Sequence, residues 1–154
     1  MKLTDQEWLA LITPKPYAAE GRVLTEAETH EVGALTTSIF HGCNSALRAL
    51  EEYSLSAPRM IDLVMEKIDP EGTWRAWSTH ADGAVAQVVS ARKAHSRLVE
   101  LLGADATVRN HGWDNGMGHI SLREIDEHVN GAEAAAEPFR LLAKLLKGPV
   151  RRAA

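Results

Sequence analysis

A chain of 154 residues with 45% hydrophobic and 25% charged side chains has the balance of an ordinary globule, which excludes disordered, collagen-like and low-complexity classes and predicts one domain spanning 1–154. A net charge of -4 argues against a general nucleic-acid binder, because neutralising phosphates needs a basic surface. A lone Cys43 excludes an internal disulfide, and neither a signal-peptide pattern at the N-terminus nor an apolar run of bilayer length is present, so a cytoplasmic protein without membrane contact is expected.

The first predicted helix opens on Thr4-Asp5-Gln6-Glu7, a T-x-x-E capping box, carries Trp8, Leu9, Leu11 and Ile12, and stops at Thr13-Pro14-Lys15-Pro16. A loop over 13–24 follows. The second helix starts at another box, Thr25 to Glu28, and its apolar residues from Val32 to Tyr53 recur at three- and four-residue steps. Ser54 to Ser56 reads as a break, with Ser56-Ala57-Pro58 capping a shorter third helix that ends at Asp69-Pro70-Glu71-Gly72.

The fourth helix is expected from about Thr73 to Leu102, with Gly103 as its stop. A loop over 103–120 leads to a third box, Ser121 to Glu124, and a last helix that keeps its register through Gly131 and Pro138. That predicts one kinked helix, ended by Gly148-Pro149 and followed by a basic tail over 148–154. Strand-like alternation is confined to Thr107–Arg109. The fold class is therefore all-α: an antiparallel helical bundle of about five helices, two or three of them long.

His30 and His41 lie eleven residues apart, roughly 16 Å along a helix, too far for one ion, and opposite the apolar stripe. His95 shares the stripe of the fourth helix, where a buried imidazole needs partners for its nitrogens. Cys43 sits on an apolar stripe and His41 opposite it, so nucleophilic catalysis has no support. No Glu-x-x-His pair of a di-iron bundle occurs, and resemblance to hemerythrin-like or DinB-like metal bundles is architectural only.

Acid pairs offer an alternative metal set. Glu28-x-x-Glu31 begins one helix and Glu66-x-x-Asp69 ends another, and with the string from Glu28 to Leu35 they resemble the magnesium-binding acids of all-α nucleotide pyrophosphohydrolases of the MazG type. That resemblance implies a metal-dependent nucleotide hydrolase. Against it, the interval between the pairs is long, Asp69 precedes a proline, and Glu28 is already explained by its capping box.

The segment Thr107 to His119, T-V-R-N-H-G-W-D-N-G-M-G-H, departs from the helical pattern by gathering three glycines, two histidines and a tryptophan ahead of a helix start. Two readings follow. It forms a partner-binding loop through Arg109, His111, Trp113, Asp114, Asn115 and His119, with Trp113 as the exposed anchor. Alternatively it delivers a small anionic ligand or nucleotide to the backbone donors at Ser121. Arg140, Lys144, Lys147, Arg151 and Arg152 form a C-terminal basic patch, the one place where nucleic acid or an acidic partner is expected to touch; Arg92, Lys93 and Arg97 form a second basic group.

With no catalytic constellation and no cofactor implied, the leading expectation is a non-enzymatic interaction protein that presents the loop to another protein or to a second copy of itself. Its size and lack of active-site chemistry resemble small bacterial or phage regulators, adapters and inhibitors, including inhibitors of host defence complexes.

Overall fold

The computed structural model describes residues 2–7, 18–19, 22–109 and 118–153. In chain order its elements are strands β1 (Ala18–Ala19) and β2 (Arg22–Val23), helices α1 (Glu26–Met65) and α2 (Pro70–Leu102), strands β3 (Thr107–Arg109) and β4 (His119–Ser121), and helix α3 (Leu122–Ala153). The class is all-α, as expected. The count is not: among the described residues there are three long helices and a helical stretch at residues 5–7 rather than about five helices, and both expected loops carry a short antiparallel ribbon.

Two expected helices are in fact one rod. The Thr25–Glu28 box caps α1, the Thr25 hydroxyl accepting from the Glu28 N–H at 3.1 Å and the Glu28 carboxylate from the Thr25 N–H at 3.0 Å. Past it, the inward stripe Leu50, Tyr53, Ala57, Met60 and Val64 keeps three- and four-residue steps straight through the predicted break at Ser54–Ser56. Burying that stripe offsets Pro58, which costs about 3 kcal/mol in a helix interior. Its cost is moderated because Ser54, whose carbonyl Pro58 leaves without a helical donor, is exposed to water.

The same physics carries α3 past its predicted stop. Pro138 and Pro149 both lie inside the helix, and the residues four positions before them, Ala134 and Leu145, are exposed. Phe139, Leu146 and Val150 are buried, so the last turn has an apolar contact to hold it and Gly148-Pro149 does not end the helix. The expected tail over 148–154 is helical as far as Ala153.

Between α1 and α2 the chain reverses in four residues. Lys67 and Asp69 take left-handed backbone, φ 62° and 40°, a conformation costing roughly 1–2 kcal/mol for a non-glycine residue. Pro70 then opens α2 three residues earlier than expected, at the first-turn position where a missing N–H does no harm. Gly103 ends α2 as predicted; at φ 89° it occupies backbone that a side chain rarely adopts, and its N–H reaches the Val99 carbonyl at 2.8 Å.

The helices pack up, down and up, with α2 antiparallel to both others. Arg97 of α2 meets Glu31 near one end of α1, whereas His80 stacks on Tyr53 further along it. Likewise His95 meets Leu122 at the start of α3, and Trp77 stacks on Phe139 seventeen residues later, ring centroids 5.7 Å apart. One core cluster joins all three helices and takes in Val108 and Ile120 from the β3–β4 ribbon. Among the described residues no helix is long and apolar enough to cross a membrane.

The indole nitrogens of Trp74 and Trp77 are buried without a hydrogen-bond partner among the described residues. An unpaired buried donor costs about 1–3 kcal/mol, comparable to the packing lost when an indole shrinks to a phenyl ring. Trp77→Phe is therefore expected to unfold in urea within about 1 kcal/mol of the parent, while Trp77→Ala loses about 3–5 kcal/mol. A loss near the alanine value for the phenylalanine variant would show that the N–H is satisfied in solution.

Candidate partner-binding hairpin

After Gly103 the chain turns, the Ala106 N–H reaching the Gly103 carbonyl at 3.3 Å, and enters β3. Its register with β4 places Thr107 opposite Ser121, Val108 opposite Ile120 and Arg109 opposite His119. Alternation does the rest: Val108 and Ile120 are fully buried against the bundle, and their neighbours Thr107, Arg109 and His119 face outward. Gly118, at φ 67°, supplies the left-handed residue that brings the chain back into β4.

The junction with α3 is held by four ties. The Leu122 N–H donates to the Ala106 carbonyl at 2.9 Å, extending the ladder by one bond. Ser121 caps the helix, its hydroxyl accepting from the Glu124 N–H at 3.1 Å. Arg123 Nε donates to Asp105 Oδ1 at 2.7 Å across the base of the hairpin. From below, buried His95 places Nε2 at 2.9 Å from the Leu122 carbonyl, so this nitrogen carries the proton and donates. His95 is thus a tie between α2 and the start of α3.

Of the expected partner-binding residues, the structure brings Arg109 and His119 together as cross-strand neighbours on the last paired rung, both exposed. His111, Trp113, Asp114 and Asn115 lie outside the described residues. For the anion reading, two of the first-turn donors, the Leu122 and Glu124 N–H groups, are already engaged, and the Glu124 carboxylate adds negative charge to the same turn.

The alternative metal acids do not converge. Glu28 is held by its capping box and Glu31 by Arg97 Nε at 2.8 Å, while Glu66 follows at the far end of the same continuous helix, roughly 50 Å away at 1.5 Å per residue. Asp69 lies in the turn beyond it. The hydrogen bond from Arg97 holds the Glu31 carboxyl below the usual carboxylate range. Among the described residues no group of three or more His, Cys, Asp or Glu side chains could hold a metal ion. His30 and His41 are exposed, and burial pushes the Cys43 thiol up to about 11, leaving it protonated and unreactive at neutral pH.

One cluster was not foreseen. Arg92, expected in a basic group with Lys93 and Arg97, instead reaches across to α3, where Asp126, Asn130 and Glu133 lie on one face at successive turns and all accept from its guanidinium. Arg97 is neutralised as well, by Glu31 and Glu100. This group is therefore an inter-helix clamp. The i, i+4, i+7 spacing of the α3 residues was visible in sequence, but the register that sets Arg92 opposite them was not.

The fold and hairpin define a class: an all-α protein of three long helices with a β-ribbon joining the second to the third. Comparison with protein-family models, curated proteins and solved structures finds no match to the chain.

The clamp has a pH signature. The hydrogen bond from Arg92, and then its charge, hold the Asp126 carboxyl below its ordinary value. A carboxyl that titrates lower in the folded state stabilises fully above its unfolded pKa, near about 4, and that contribution is lost as pH falls through the folded value. Because the pair is partly exposed, it is worth roughly 1 kcal/mol or less. Asp126→Asn is expected to lower urea stability by that amount at pH 7 and to match the parent below the folded pKa. An equal deficit at both pH values would assign the loss to something other than this ion pair.

Proposed function

We propose that the protein is a non-enzymatic interaction protein of regulatory, adapter or inhibitor type, acting in the cytoplasm, which binds another protein through the loop carried by β3 and β4. The observation that supports this reading is the anchoring of the hairpin base. Val108 and Ile120 are immobilised in the core, Arg123 and Asp105 bridge the junction, and Arg109 and His119 stand exposed side by side where the strands open into the loop.

A rigid base reduces the ordering cost that a loop incurs on binding, which favours recognition over a freely moving segment. The loop adds Trp113 between glycines, with His111, Asp114 and Asn115 beside it. Tryptophan and arginine are over-represented among residues that dominate binding energy, so Trp113 is assigned as the anchor and Arg109 as its charged neighbour.

The test is capture from the native host with the tagged chain, followed by titration of the captured partner. Trp113→Ala is expected to keep the helical circular dichroism and to weaken binding by more than about tenfold, the effect of losing a hot-spot side chain. Unchanged affinity in that variant removes the loop from the interface.

A further inference from the structure

Two outward helix faces carry complementary charge that the chain itself leaves uncompensated. On α3, Leu141 and Leu145 are 51% and 73% exposed on the side turned away from the core, one turn apart. Arg140, Lys144, Lys147, Arg151 and Arg152 accompany them, with Glu137 as the one acid in the last seventeen residues of the helix. On α1, Leu55 is the most exposed large apolar side chain among the described residues at 81%, and Glu51, Glu52, Asp62 and the C-cap Glu66 flank it together with Arg48 and Arg59, four acids against two bases over residues 48–66.

Other arginines of the bundle are paired within the chain: Arg75, Arg92, Arg97 and Arg123 each meet a carboxylate. None of these five bases or four acids forms an ion pair with another described residue. Their spacing also corresponds. Leu55 precedes Asp62 by seven residues and Leu145 precedes Arg152 by seven, each roughly 10 Å along a helix, so that with the helices parallel leucine meets leucine where acid meets base.

We infer that the protein associates with a second copy of itself, the acidic leucine-bearing face of α1 on one copy packing against the basic leucine-bearing face of α3 on the other. Exposed leucines give the contact an apolar centre and the charges give it a rim and a direction. The contact is heterologous, since different surfaces of the two copies meet. It lies toward the end of the bundle away from the β3–β4 hairpin, because α2 brings Trp77 and Phe139 together at that end and His95 and Leu122 at the other. It therefore stands or falls independently of the loop.

Sedimentation of the full chain at low and high salt tests the contact. The parent is expected to associate at low salt and to dissociate as salt screens the rim. Glu51→Lys with Asp62→Lys, and separately Arg140→Glu with Lys144→Glu, are each expected to weaken association by about tenfold or more while leaving the circular dichroism unchanged. An equimolar mixture of the two variants restores it, because each then offers the face the other lacks. A monomeric parent at low salt overturns the inference, including one that instead binds anionic vesicles or nucleic acid through Arg140 and Lys144. Failure of the mixture to associate also overturns it, as does loss of association in Trp113→Ala.

Discussion

Alanine at the inward positions of α2 lets one helix serve two interfaces at once. Ala81, Ala84, Ala91 and Ala94 are all buried, and with them α2 contacts α1 on one side and α3 on the other. Short side chains there keep both neighbours close, and the larger residues fill the remaining volume from outside: Val32, Ile39 and Leu50 from α1, Ile125 and Val129 from α3, with Val88 and Leu98 of α2 between them. Enlarging one of these alanines would push at least one helix away, and the polar ties between helices depend on that separation. The guanidinium of Arg92 and the imidazole of His95 reach α3 because the backbones are close.

The helical class and the inward stripes were readable from the chain because burial repeats at the helical period, and capping boxes mark starts with a local chemical signature. Two of the three predicted boxes form in full, at Thr4 and Thr25, and Ser121 supplies the cap half of the third. Helix ends were less readable. Pro58 and Pro149 look like boundaries when judged locally, yet each is tolerated because the stripe continues on both sides and the freed carbonyl faces water. That compensation is tertiary. It depends on whether Met60, Val64 and Val150 find a neighbouring helix to bury against, which a local pattern cannot reveal.

For the candidate site the balance is similar. Segment 107–119 stood out by composition, and the strand suggested at Thr107–Arg109 is present, but its partner at His119–Ser121 is too short to announce itself by alternation. Charge proved the least readable property. Arg92 and Arg97 looked like part of a basic surface and are clamps, and Glu31, an alternative metal ligand by spacing, is an ion-pair partner, whereas Glu28 is the capping acid that its local pattern predicts. A side chain's charge is a local fact; its compensation depends on inter-helix register.

The arrangement separates the packed helix faces from the exposed hairpin rung. Each long helix has one face engaged with its neighbours through small and branched apolar side chains, and the hairpin's two inward residues extend that same core to the end where α2 stops. Arg109 and His119 are therefore presented from a base that cannot shift without exposing Val108 and Ile120, and the path from the core to the exposed rung is a single residue long on each strand. Displacing the hairpin would expose both buried side chains, at about 1.5–3 kcal/mol each. It would also break the ladder bond at Leu122 and strain the His95 tie to the same residue. At the opposite end, among the described residues, α1 and α2 are joined by a four-residue turn, and there the helices themselves present their outer leucines and unpaired charges. Two regions with different chemistry thus occupy opposite ends of one packed core, so substitutions at either can alter what it presents without touching the alanine-lined seam that keeps the helices together.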